Sequence, residues 1–128
     1  MEYIIDSYAW IEYFLGSFKG EVLKKLFLDP KNKFFTLECC LAEINGWAIK
    51  NNNDFSNLLL IIKANSEILN LKEIDWILAG EERAKQRQNQ KDFGLIDSVI
   101  LVKQKEFDYK IITGDKHFKD LKKIIFLK

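Results

Sequence analysis

Short apolar runs alternate with longer stretches of helical period along this chain. Tyr3-Ile4-Ile5, Phe34-Phe35-Thr36, Ile68-Leu69, Ile111-Ile112-Thr113 and Ile124-Ile125-Phe126-Leu127 are brief and rich in β-branched and aromatic residues. They predict strands over 3–6, 34–36, 68–71, 110–113 and 124–127. Between them the period changes to that of a helix. Ser7 to Leu15 follows the first strand, and Glu21 to Leu28 carries Val22, Leu23, Leu26 and Phe27. Over Leu37 to Lys50, the spacing of Leu37, Leu41, Ile44 and Ala48 places all four on one helical face. Asp54 is placed to cap a helix that buries Phe55, Leu58, Leu59 and Ile62. Further helices are expected over 73–87 and 95–104, with 86–92 as a helix end and loop, and Pro30 with Asn32 marks a turn. The alternation is that of an α/β protein, here one domain over 1–128 around a mainly parallel five-stranded sheet. No internal repeat, low-complexity tract or linker interrupts it.

Composition narrows the class. At 128 residues the chain is long enough to bury a core, and with 48% hydrophobic and 30% charged residues it has the balance of a soluble globular protein. No apolar run approaches the ~20 residues that cross a bilayer, so no membrane association is expected. The start, Met1-Glu2-Tyr3, lacks the basic segment of a secretory signal. Cys39 and Cys40 are adjacent and read as small apolar residues in a reducing compartment, which points to the cytoplasm. A net charge of +1 argues against a chain-wide field for nucleic acid, so any such binding must come from local patches.

Four carboxylates then change the picture. Asp6 ends the first apolar run, Asp115 follows Ile111-Ile112-Thr113-Gly114, Glu43 lies among Cys39, Cys40 and Trp47, and Asp97 interrupts Leu95-Ile96…Val99-Ile100. A carboxylate drawn into apolar surroundings costs several kcal/mol unless it is paired or binds a cation. Asp6, Glu43 and Asp97 have no basic residue beside them in sequence, and only Asp115 has, in Lys116 and His117. In a parallel α/β sheet ligands bind outside the carboxyl ends of the strands, where Asp6 and Asp115 lie. Glu43, one to two turns beyond the second strand, and Asp97, in the first turn of its helix, can reach the same edge. Oxygen-only ligands suit Mg²⁺ or Mn²⁺ rather than zinc, and such a site can promote in-line attack on a phosphodiester. Each acid also has a plainer reading: Asp6 as a helix N-cap, Asp97 as a partner of its helix dipole, Glu43 as a solvated residue, Asp115 as a turn residue.

At these residues the chain resembles the PIN-domain family, in the small form of VapC-type toxins from toxin–antitoxin pairs. The resemblance runs in order through Tyr3-Ile4-Ile5-Asp6-Ser7, Glu43, Leu95-Ile96-Asp97-Ser98-Val99-Ile100 and Ile112-Thr113-Gly114-Asp115-Lys116-His117-Phe118. It implies a three-layer α/β/α fold and a Mg²⁺- or Mn²⁺-dependent ribonuclease. Asp6, Glu43, Asp97 and Asp115 would form its acidic site, with Thr113 and Ser7 as accessory hydroxyls. Asp6 and Asp97 would bind the principal ion, while Asp115 and Glu43 would act through water, hold a second ion or orient the nucleophilic water. The implied products carry 5′-phosphate and 3′-hydroxyl ends, and the implied partners are an RNA substrate and an antitoxin protein. The segment 51–67 and the helix 15–28 follow the family pattern less closely.

Around this constellation other residues carry two readings each. Lys116, His117 and Lys119 stand next to Asp115 and can touch a phosphate, or belong to a solvated short helix anchored by Phe118. Trp10, Tyr13, Phe14, Trp47 and Trp76 can stack bases, though core or oligomer packing fits them better. The abundance of apolar and aromatic residues makes a homodimer or a bound antitoxin an expectation. A haloacid-dehalogenase-type phosphatase would need Asp-x-Asp after the first strand, where this chain has Asp6-Ser7-Tyr8, and an aspartate where Lys119 stands. A PIN-fold binding module without catalysis is the other alternative, although all four acids are present.

Overall fold

The computed structural model describes residues 1–128. Five strands, β1 (Glu2–Ile5), β2 (Lys33–Leu37), β3 (Glu67–Leu69), β4 (Lys110–Thr113) and β5 (Ile124–Phe126), form one sheet in the order β3-β2-β1-β4-β5. Every pairing is parallel, with Ile4 beside Phe35 on one side and Ile111 on the other. The mainly parallel sheet expected from sequence is thus wholly parallel. Six helices connect the strands: α1 (Ser7–Leu15), α2 (Gly20–Phe27), α3 (Glu38–Lys50), α4 (Phe55–Asn65), α5 (Glu73–Gln86) and α6 (Leu95–Phe107).

Parallel strands need crossover helices, and these cover both faces of the sheet. Alternation along β1 divides the core accordingly. Tyr3 and Ile5 face one layer with Trp10 of α1, Leu23 of α2, Ile62 of α4 and Ile112 of β4. Ile4 faces the other with Ala79 of α5, Val99 and Val102 of α6, Ile111 and Phe118. The result is the three-layer α/β/α arrangement. Trp10, fully buried, donates its indole N–H to the Thr36 hydroxyl at 3.0 Å and stacks on Phe14. Trp10, with Tyr13 and Phe14 packed against it, therefore serves the core and is not a base-stacking platform.

Local chemistry sets the helix ends. Asp6 caps α1 by accepting the Ala9 N–H at 2.9 Å, and Gly16 closes it in the left-handed region at φ 64°. Asp54 caps α4 through the Ser56 N–H, as its position before Phe55 predicts. α6 runs three residues beyond the expected end at 104 and has seven consecutive buried residues, Ser98 to Gln104. Buried Lys103 is held there by Asp75 of α5 at 2.9 Å and by Glu106 at 2.9 Å. No helix is long and apolar enough to cross a membrane.

Chain direction across the sheet reverses between β1 and β4: β1 leads outward to β2 and β3, and α5 and α6 lead back to β4 and β5. The crevice outside the carboxyl ends of β1 and β4 is where such folds place their ligands.

Candidate active site

Asp6 leaves β1 at this crevice and is 3% exposed. Burial pushes its carboxyl from 3.8 up to about 7; the Thr113 hydroxyl and the Ala9 N–H pull it down, and the charges of Asp115 and Asp97 push it further up. Its N-cap role and a place in the acidic pocket are thus compatible: one oxygen caps α1 while the carboxylate faces the other acids. Asp97 enters from the first turn of α6. Burial first, then the Asp115 charge, raises it to about 6. Gly94 lets it lie close, since a Cβ there would stand 3.3 Å from Asp97 Oδ2.

Asp115 follows β4. Its N–H donates to Thr113 Oγ1 at 3.0 Å, so Thr113 supports both Asp115 and Asp6. Its Oδ1 accepts the His117 N–H at 2.9 Å and lies 2.7 Å from His117 Nδ1, across a 3₁₀ turn over Lys116–Phe118. His117, read from sequence as a phosphate contact or a residue of a solvated short helix, thus stands as a basic partner of Asp115. Its Nε2 is 3.1 Å from Asp92 Oδ2, an ion-pair distance without hydrogen-bond alignment. Burial lowers the imidazole pKa, but the contacts with Asp92 and Asp115 outweigh it and the net shift is upward. One ligand atom from each of Asp97, Asp115 and His117 falls within 4.8 Å of the others.

Glu43 differs from its expected setting. It is exposed on α3, not drawn into the apolar layer, and its Oε1 accepts the Ser7 hydroxyl at 2.8 Å. Ser7 and Glu43 thus form the outer rim, while the charge of Glu43 still helps raise Asp97. Lys116 and Lys119 are exposed, His117 is half-buried and Phe118 is fully buried.

Several neighbours of the site escaped the sequence reading. Asp92 lies in the loop expected before α6, and Gln90 of the same loop donates to the His117 carbonyl at 2.8 Å. The Asp-x-His spacing at 115–117 is the one local signal, because an Asx turn brings those side chains together. Tyr8 packs on Gly114, where an added Cβ would meet its ring at 2.2 Å. A groove of about 590 Å³ lies between α5 and α6 and includes none of the four acids; the acid pocket is marked by its chemistry.

The donor set fits a divalent cation. Buried and half-buried carboxylates of raised pKa, repelling one another at the end of a sheet, are a charge cluster that a hard cation would satisfy. The sequence model of the PIN domain matches residues 3–124. The chain belongs to the PIN-domain family. PIN domains are nucleases that use divalent metals, and this membership sets the phosphatase alternative aside. Among solved structures, the fold is shared with VapC20 of Mycobacterium tuberculosis, described as a sarcin–ricin loop cleaving toxin, at 12% identity and TM-score 0.74 over 91% of this chain and 92% of that one. VapBC2 of Rickettsia felis, bound to a promoter DNA fragment, matches at 18% identity and TM-score 0.73 over 98% and 97%. DNA-bound VapBC of Salmonella typhimurium matches at 15% identity and TM-score 0.71 over 98% and 96%. No curated protein sequence matches the chain at a significant level.

Proposed function

We propose that this PIN domain is a metal-dependent endoribonuclease acting as the VapC-type toxin of a toxin–antitoxin pair, in the cytoplasm and as a homodimer. The observation that carries the reading is that one ligand atom from each of Asp97, Asp115 and His117 lies within 4.8 Å of the others, with buried Asp6 beside this group and pushed up to about 7 by burial and by the Asp115 and Asp97 charges. Such a cluster is costly for a fold and useful for holding Mg²⁺ or Mn²⁺. An RNA substrate and an antitoxin partner are supported by the toxin and toxin–antitoxin complexes that share the fold.

Asp6, Asp97 and Asp115 would hold the ion, which supplies charge stabilisation at the scissile phosphate and acidifies water. The chain's own groups do the positioning. Thr113 braces Asp6 and Asp115 from the end of β4. Glu43, steadied by Ser7 through one oxygen, leaves the other free at the solvent-facing rim to orient a water for in-line attack. That water adds to phosphorus, the bond to the 3′-oxygen breaks, and 5′-phosphate and 3′-hydroxyl ends result. Lys116 and Lys119 offer phosphate contacts beside Asp115.

The test is cleavage of RNA by the purified chain in Mn²⁺. Activity lost both in EDTA and in Asp97→Asn is the expected result. Activity surviving Asp97→Asn would assign the cleavage elsewhere and overturn the reading.

A further inference from the structure

Beside the acid pocket, Tyr8 and Lys19 form a pair with no part in the chemistry above. Tyr8 stands two residues after Asp6, in the first turn of α1. Its ring occupies the space a side chain at position 114 would fill, 2.2 Å from the ideal Cβ position of Gly114. The ring is therefore in contact with the backbone immediately before Asp115. Lys19, at the start of α2, donates to the Tyr8 hydroxyl at 2.9 Å, and its ammonium stands 5.5 Å from the ring centroid.

The pairing leaves unused capacity. Lys19 rests on a neutral phenol and forms no ion pair; the neighbouring Glu12 carboxylate is taken by the Ser17 hydroxyl. Its positive charge is not neutralised by a carboxylate contact. The Tyr8 oxygen accepts from Lys19, and no protein acceptor takes its own O–H. One ammonium and one hydroxyl donor thus sit together on the rim of an acidic pocket, with a half-buried aromatic ring beneath them. A polyanion approaching Asp6, Asp97 and Asp115 is repelled by them and needs compensating donors nearby. Lys116 and Lys119 offer this on the 3₁₀ turn; Lys19 offers it from the α1–α2 side.

We propose that Tyr8 and Lys19 form a nucleotide subsite beside the acid pocket, with the Lys19 ammonium and Tyr8 hydroxyl binding a phosphate and the Tyr8 ring bearing on a base or ribose. The subsite rests on the ribonuclease reading. Gly114 acquires a specific purpose in it: only a residue without Cβ lets the ring lie against the strand end.

The experiment measures binding of a short fluorescein-labelled single-stranded RNA of mixed sequence by anisotropy, in Mg²⁺ and across a series of KCl concentrations. The protein is the full chain carrying Asp97→Asn, so that RNA survives. Lys19→Ala is expected to weaken binding about tenfold more than Lys25→Ala, an exposed lysine on α2, and to lower the salt slope by about 0.7. Tyr8→Phe, which keeps the ring, should weaken binding about threefold and leave the slope unchanged. Lys19→Ala matching Lys25→Ala in affinity and slope would overturn the subsite, while Mn²⁺-dependent cleavage by the unmodified chain would leave the ribonuclease reading standing. RNA binding unchanged but capture of a protein partner weakened would assign the pair to a protein contact and equally overturn it. No binding and no cleavage by the unmodified chain would sink both.

Discussion

One oxygen of Asp115 serves both the backbone and the ring of His117: Oδ1 accepts the His117 N–H at 2.9 Å and lies 2.7 Å from Nδ1. With Asp92 3.1 Å from the other ring nitrogen, the imidazole is held between two carboxylates. Both favour its protonated form. A cation entering beside Asp97 and Asp115 therefore meets a positive charge already in contact with one of its ligands.

Metal binding should consequently release protons. Near pH 6.5, Mn²⁺ must displace protons from Asp6 and Asp97 and oppose the charge on His117, so affinity rises with pH through the range of about 6 to 7. Calorimetry in buffers of different ionisation enthalpy would count the protons. His117→Gln should reduce that number by up to about one, without abolishing binding. An unchanged count would mean that the imidazole does not sense the ion.

The same groups govern the stability of the metal-free chain. Asp6 and Asp97 have folded values above their ordinary 3.8, so the folded state holds protons that the unfolded state sheds. Stability therefore falls as pH rises from about 4 through about 7. Fully developed, the Asp6 shift alone is worth on the order of 4 kcal/mol. His117, raised above its ordinary 6.5, acts in the same direction: its contribution is present below that value and lost as pH climbs through the raised one. Asp75 and Asp92 are depressed and act oppositely, losing their contribution as pH falls below 3.8. The melting temperature without metal should thus peak at about pH 4, decline toward pH 8, and be restored at pH 8 by Mn²⁺. In Asp97→Asn the decline toward pH 8 should be shallower. A melting temperature that rises steadily to pH 8 without metal would refute the charge-cluster account.

Sequence patterning captured the sheet because β1, β2 and β4 are buried on both faces, which leaves apolar runs too short for helices. It reached Asp6, Asp97 and Asp115 because acids at strand ends and helix starts break such runs visibly. Its failures have physical causes. Glu43 precedes Ile44 on α3, and a step of about 100° per residue turns it off the apolar face, so sequence neighbours misrepresented its surroundings. α6 runs past the expected end at 104 to Phe107, and the burial of Lys103 near that end depends on Asp75, a residue of another helix that no local pattern points to. Tyr8 and Gly114 are brought together by the pairing of β1 with β4, a contact no local pattern encodes.

The Lys103–Asp75 pair carries its own prediction. Both side chains are about 95% buried, at 6% and 5% exposure, and the pair joins α6 to α5. Removing Lys103 leaves Asp75 buried without its ion-pair partner, at a cost of about 3–5 kcal/mol. Lys103→Met should therefore lower the urea midpoint strongly, and adding Asp75→Leu should recover much of the loss. Mn²⁺ affinity should change little in the double variant, because neither residue belongs to the acid pocket. A single variant as stable as the parent would show that solvent reaches the pair.

The Tyr8–Gly114 contact is testable through stability alone. Gly114→Ala places a methyl where the Tyr8 ring lies, 2.2 Å from Cε1 and 2.7 Å from Cδ1. The ring cannot move freely, since its hydroxyl is held by Lys19 and its Cα by α1. The expected cost is about 1–3 kcal/mol by urea unfolding. In a Tyr8→Ala background the obstacle is gone, and the same substitution should cost less than about 0.5 kcal/mol. That non-additivity is the signature of direct contact. Equal costs in both backgrounds would place the strain of Gly114→Ala in the backbone, and the ring would then owe its position beside Asp115 to something other than the glycine.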